Sequence, residues 1–96
     1  MKRTHPEQIG ELVERLIQEN GLTDKILAQR ASFGWREIVG DGINRYTTRR
    51  SVIGTVMHVW LSSAPLKNEL LYQREKLVKA INNYLGKEFI TEIRFH

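Results

Sequence analysis

The sequence predicts a small α+β domain, with helices packed on one face of a three-stranded sheet. Three observations point there. Helical periodicities flank a stretch rich in Thr and β-branched residues between Tyr46 and Leu61. Gly54 divides that stretch into two strands. The chain then returns, after a further helical pattern, to a clean alternation from Lys87 to Phe95. At 96 residues there is length for one domain, taken as residues 6–96 behind a short extension at 1–5.

The predicted order is α-α-β-β-α-β. Thr4 and Glu7 have capping-box spacing and Pro6 suits a first turn, so a helix starts here. Ile9, Leu12, Val13, Leu16 and Ile17 form its apolar face, and Asn20-Gly21 ends it. A second helix opens at Thr23 or Asp24, with Ile26 and Leu27 pointing inward. Ser32-Phe33-Gly34 reads as a break or kink. Trp35, Ile38, Val39, Ile43 and Tyr46 resume the face, with helix to about Val39 and one loose turn after it. Strand one is Tyr46 to Ile53 and strand two Thr55 to Leu61. Ser63 and Pro65 then start one long helix. Leu66, Leu70, Leu77, Ile81, Tyr84 and Leu85 form its stripe, and Gly86 stops it. Strand three runs to the chain end with Phe89, Thr91, Ile93 and Phe95 on one side. A strand–helix–strand unit of this kind sets its two strands parallel.

Composition excludes several function classes. There is no cysteine, which removes disulfide scaffolds, thiol catalysis and Cys-ligated zinc and fits a reducing cytoplasm. No apolar run approaches the length of a membrane span, and the first residues have no apolar core, so neither membrane nor signal peptide is expected. The three histidines, His5, His58 and His96, stand in no catalytic or metal-ligand pattern, and no Gly-rich phosphate loop is present. No enzymatic activity, metal or cofactor is expected. Ser62-Ser63 read as helix capping.

Net charge is +4. Residues 1–40 are balanced, so the whole excess lies in the C-terminal part of the chain. Arg45, Arg49 and Arg50, interleaved with Tyr46, form the densest basic cluster. Arg49 and Arg50 face opposite sides of a strand, and with Lys87 the set makes a basic edge. One reading is a phosphate-contacting surface without sequence preference. The other is solvated charge that protects an edge strand from aggregation. Lys76, Lys79 and Asn83 read as the solvent face of the long helix. Trp35 reads as a core residue whose indole N–H needs a partner.

Trp35-Arg36-Glu37-Ile38-Val39-Gly40, Thr47, Ser62-Ser63-Ala64, Glu69-Leu70, Ile81-Asn82, Leu85-Gly86 and Ile93-Arg94-Phe95, in this order, resemble the DciA-like family. That family is associated with the bacterial replicative helicase, which it helps to load onto DNA. The resemblance covers roughly residues 6–96. It implies a KH-like fold, the replicative helicase as partner, and weak, non-specific DNA contact by a non-enzymatic replication module in the cytoplasm. The alternative is an interaction adaptor or homodimer without affinity for nucleic acid. Pro65-Leu66 stands where many relatives have a bulky aromatic, and the basic extension that many carry is not seen here. Gly40-Asp41-Gly42 has the wrong spacing for a KH-type G-x-x-G loop, and its Asp would repel a phosphate.

The resemblance also assigns the faces of strand two. It places Val56, His58 and Trp60 inward and leaves Met57, Val59 and Leu61, with Ile90 of strand three, on the open face. Such an apolar patch would be a partner interface, either for the helicase or for a second copy. In the opposite register Met57, Val59 and Leu61 are simply core. His58 reads as a packed, hydrogen-bonded core residue in either case.

Overall fold

The structure is a computed structural model that describes residues 22–96 together with Glu11, Leu12 and Arg15. These three are helical and exposed. Leu12, expected on the apolar face of the first helix, is thus exposed; the rest of that face, the capping box and the Asn20-Gly21 stop lie outside the described residues.

The described chain runs α1 (Leu22–Asn44), β1 (Thr47–Ile53), β2 (Val56–Leu61), α2 (Ala64–Tyr72), α3 (Arg74–Leu85) and β3 (Glu92–Phe95). The sheet order is β1-β2-β3, with β1 antiparallel and β3 parallel to β2. This is the α+β fold expected, a small mixed sheet covered by helices on one face.

α1 passes through Ser32-Phe33-Gly34 without a break, against the expected kink. Gly34 is used differently. A Cβ at that position would lie 2.5 Å from Cδ1 and Cε1 of Tyr84. The missing side chain is what lets the Tyr84 ring of α3 lie against α1. Two turns of α1 do point as the periodicity says, Leu27 and Trp35 being buried, but Ile26 is exposed instead of inward. The helix bends at Gly40, whose φ of 83° is outside helical space and open to glycine. Arg36 Nε donates to Asp41 Oδ1 at 2.7 Å across this bend. The Asp41 hydrogen bond, and then its charge, raise the pKa of Arg36.

A two-residue loop, Gly54-Thr55, joins β1 to β2, with Gly54 at φ 62°. Glycine first in such a loop suits a type II′ turn, whose twist matches the strands. Ser63 caps α2, its Oγ accepting from Leu66 N at 3.3 Å, and Pro65 sits in the first turn. The single long helix predicted from Ser63 to Leu85 is two helices, separated at Gln73. The reason is visible in the apolar stripe: between Leu70 and Leu77 the position that should continue it is polar, at Gln73-Arg74. The bend leaves Leu70 of α2 and Leu77, Ile81 and Leu85 of α3 in the same core.

β3 is also shorter than predicted, starting at Glu92. Residues before it are held by Asn82 of α3. The Asn82 side chain donates to Ile90 O at 2.9 Å and accepts from Phe89 N and Ile90 N at 3.1 and 2.8 Å. These bonds take the backbone groups that a strand would offer, so the segment follows α3. Phe89 and Ile90 are both buried, while Thr91 is exposed and bonded to Thr55. Ile90 is therefore core, not open face as predicted.

The core gathers Leu27, Ala31 and Trp35 of α1 with Met57 and Val59 of β2, Ile81 of α3 and Ile93 and Phe95 of β3. Trp35 is fully buried, donates from Nε1 to Thr47 Oγ1 at 3.1 Å, and lies 6.0 Å from the Phe95 ring. Its N–H partner is thus the first residue of β1.

The Asn82 clasp yields a stability prediction. Asn82→Ala leaves two backbone N–H groups and one carbonyl without their partner, and is expected to lower the unfolding free energy by about 2–4 kcal/mol. Urea denaturation followed by circular dichroism measures it; a loss below about 0.5 kcal/mol would show that the clasp is not holding the segment.

Candidate nucleic-acid interface

Which way β2 points decides what the open face of the sheet presents. Met57 and Val59 are fully buried, and Leu61 is partly buried against the same core. The expected patch of Met57, Val59, Leu61 and Ile90 is not on the open face. The physical reason is plain in the alternation. One side of the strand is wholly apolar, whereas the other carries His58, whose two ring nitrogens would need partners inside. The wholly apolar side is the one buried.

The open face is consequently made by Val56, His58 and Trp60. Strand register places Arg49, Ser51 and Ile53 of β1 beside them, and Glu92 and Arg94 of β3 on the other side. His96 continues that row. Its backbone extends the β2–β3 ladder, with His96 N donating to Val59 O at 2.8 Å and Leu61 N to His96 O at 2.9 Å. The side chains then meet in the middle of the face. Trp60 and His96 stack with ring centroids 4.8 Å apart and planes 23° from parallel. His58 lies edge to edge with His96, ring centroids 5.1 Å apart and planes 17° from parallel. His58 Nδ1 and His96 Nε2 share a 2.9 Å hydrogen bond, one ring donating and the other accepting. The Arg49 guanidinium lies over the opposite flank, 4.8 Å from the Trp60 centroid, in cation–π geometry.

A β-bulge helps to aim Arg49. The β1–β2 register shifts between Thr47 and Arg49, leaving Thr48 as the extra residue. Thr47 can then face Trp35 on the core side while Arg49, two positions on, faces Trp60 on the open side. Without the bulge, residues two apart opposite successive positions of β2 would not meet both partners.

The four predicted basic residues do not form one edge. Arg49 is on the open face. Arg50 is on the helix side of β1, bonded from Nη1 to Asn44 Oδ1 at 3.2 Å. Arg45 is exposed in the turn that leads into β1. Lys87 is elsewhere: it follows α3 and lines an open cleft of about 620 Å³ with Lys79, Asn82, Asn83, Gly86 and Glu88. Since β1 and β3 are opposite edges of the sheet, Lys87 does not join the arginines. Sequence reasoning missed Trp60, His58 and His96 as surface groups. The signal was the polar His58 within one of two otherwise apolar rows; His96 gave no signal, because its place depends on the parallel pairing of β3.

Arg94, the remaining cation of the face, is paired with Glu92 at 3.0 Å. Arg45 and Arg49 make no ion pair among the described residues. The face therefore combines flat π groups with cationic charge and little opposing acid.

Residues 8–95 match the family model described as Dna[CI] antecedent, DciA. The chain belongs to the DciA family. The match takes in every described helix and strand, including the buried Trp35 and the clasping Asn82 on which the resemblance rested. The DciA name ties the family to helicase loading in DNA replication, and DciA is not known as a family of enzymes. No curated protein matches the chain. No helix among the described residues is long and apolar enough to cross a membrane.

The face assignment has a direct test by substitution. Val59→Glu is expected to abolish the cooperative unfolding transition, because an unpaired carboxylate has no place in the core. His58→Glu, on the open face, is expected to keep the far-UV circular dichroism of the parent. The reverse outcome would mean that β2 is turned the other way.

Proposed function

We propose that this DciA-family chain is a non-enzymatic accessory module of bacterial DNA replication, acting in the cytoplasm, that binds the replicative helicase and contacts DNA without sequence preference while the helicase is loaded. Family membership supports the helicase partner. The observation that supports DNA is the open sheet face, where Arg49 is cationic, exposed and free of acid partners among the described residues, with Arg45 exposed in the turn that leads into the same strand. Phosphate contact needs only such a surface, and no nucleotide-reading groove.

The cationic face also speaks for nucleic acid over the homodimer reading. The apolar patch expected to drive self-association is inside the core. On the open face only Val56 and Ile53, at the hairpin end, are aliphatic.

Two measurements check the reading. Retention of purified replicative helicase on the immobilised chain tests the partner; no retention would remove it. Anisotropy with labelled DNA is expected to give a dissociation constant of about 10⁻⁴–10⁻⁶ M at physiological salt. Arg45→Ala combined with Arg49→Ala should weaken binding and reduce the slope of log K against log salt by about 1–2. Affinity indifferent to salt, or unchanged in the double variant, would contradict the DNA contact.

A further inference from the structure

We propose that the open face of the sheet is a binding site for the unpaired bases of single-stranded DNA, with the Arg49–Trp60–His96 column as the stacking platform, His58 bracing it and the charge of Arg49 attracting the phosphates. This rests on the DNA contact proposed above and goes further by naming the form of DNA and the groups that tell it from a duplex.

The geometry points to bases for three reasons. First, the face is built of flat groups. Arg49, Trp60 and His96 succeed one another across the strands at 4.8 Å spacings, and His58 closes a triangle of rings 5.9 Å from Trp60. Both ends of this column are planar groups suited to a base: a guanidinium on the β1 side and an exposed imidazole on the β3 side. His96 has aromatic neighbours only in Trp60 and His58 among the described residues. A base added at either end extends the column at the same spacing, and stacking tolerates any base because each has a π-face.

Second, the groups are preorganised. The His58–His96 hydrogen bond and the backbone bonds of His96 to Val59 and Leu61 fix the terminal ring. The Arg49 guanidinium is held over Trp60 by the bulge and by its cross-strand position. Little side-chain freedom remains to be lost on binding.

Third, the charge and shape fit a single strand better than the alternatives. A duplex hides its bases and offers this face phosphates alone. An apolar peptide or helix needs aliphatic pockets, and the centre of the face has none. An acidic peptide would use Arg49 but leave the rings unused. A single strand uses both, which is how sheet surfaces with exposed aromatic groups take unpaired nucleotides.

The test uses the full chain with three labelled probes of equal phosphate number: a short thymidine oligonucleotide, its abasic counterpart and a duplex. The thymidine oligonucleotide is expected to bind about tenfold or more tighter than the abasic chain. Trp60→Ala and His96→Ala should each erase most of that difference while leaving the salt slope in place; Trp60→Phe should retain it. Circular dichroism establishes that each variant is folded. Tryptophan emission gives a second readout that does not depend on the alanine variants. Thymidine should quench the parent, and should not quench Trp60→Phe, in which only the buried Trp35 remains. Equal affinity for all three probes, or quenching that persists in Trp60→Phe, would overturn the site and leave phosphate contact standing. No binding of any probe at low salt would overturn both.

Discussion

Val59 is paired with Arg50 on one side and with Phe95 on the other, and its side chain is fully inside. The middle strand thereby fixes both surfaces of the sheet at once. Because successive side chains alternate, a slip of one residue would exchange the whole contents of the two faces. With Met57 and Val59 inward, the sheet closes on Trp35, Ile81, Ile93 and Phe95. With His58 and Trp60 outward, an indole and two imidazoles are left in reach of solvent. The same constraint that builds the core therefore builds the candidate site. The bulge at Thr48 completes the arrangement, giving Trp35 its hydrogen-bond acceptor and Trp60 its cation on the two sides of one strand.

Much of the fold was legible in local signals. The Ser63 cap, the Gly54 turn, the Gly86 stop and the buried Trp35 each followed from one residue type in a defined place, and the parallel third strand followed from the strand–helix–strand connection. The direction of β2 was harder, since both of its rows are mostly apolar. Here the resemblance to relatives pointed one way and elementary chemistry the other. A row of Met57, Val59 and Leu61 can be buried without any polar partner, whereas a row containing His58 cannot. The physical argument decides correctly when the two conflict.

Other features depend on contacts between distant parts of the chain. The break at Gln73 shows in sequence only as a missing apolar position. Asn82 looks like an ordinary polar residue on a helix, yet its amide holds Phe89 and Ile90 in place and so determines where β3 begins. Lys87 sits close to that clasp, which explains its distance from the arginines of β1. Charge clusters drawn from sequence alone combine residues by type, and only the sheet order reveals which share an edge.

Membership of the DciA family and the character of the open face fit together. A surface of stacked rings and an arginine is chemically suited to the contact with unpaired DNA proposed for it. The most direct check on the underlying claim is the solvent accessibility of the two tryptophans, taken one at a time. In Trp35→Phe, the remaining Trp60 should emit at longer wavelength and be readily quenched by acrylamide. In Trp60→Phe, the remaining Trp35 should emit at shorter wavelength and resist quenching. Equal shielding of both, or a shielded Trp60 beside an accessible Trp35, would contradict the orientation of β2 on which the whole account stands.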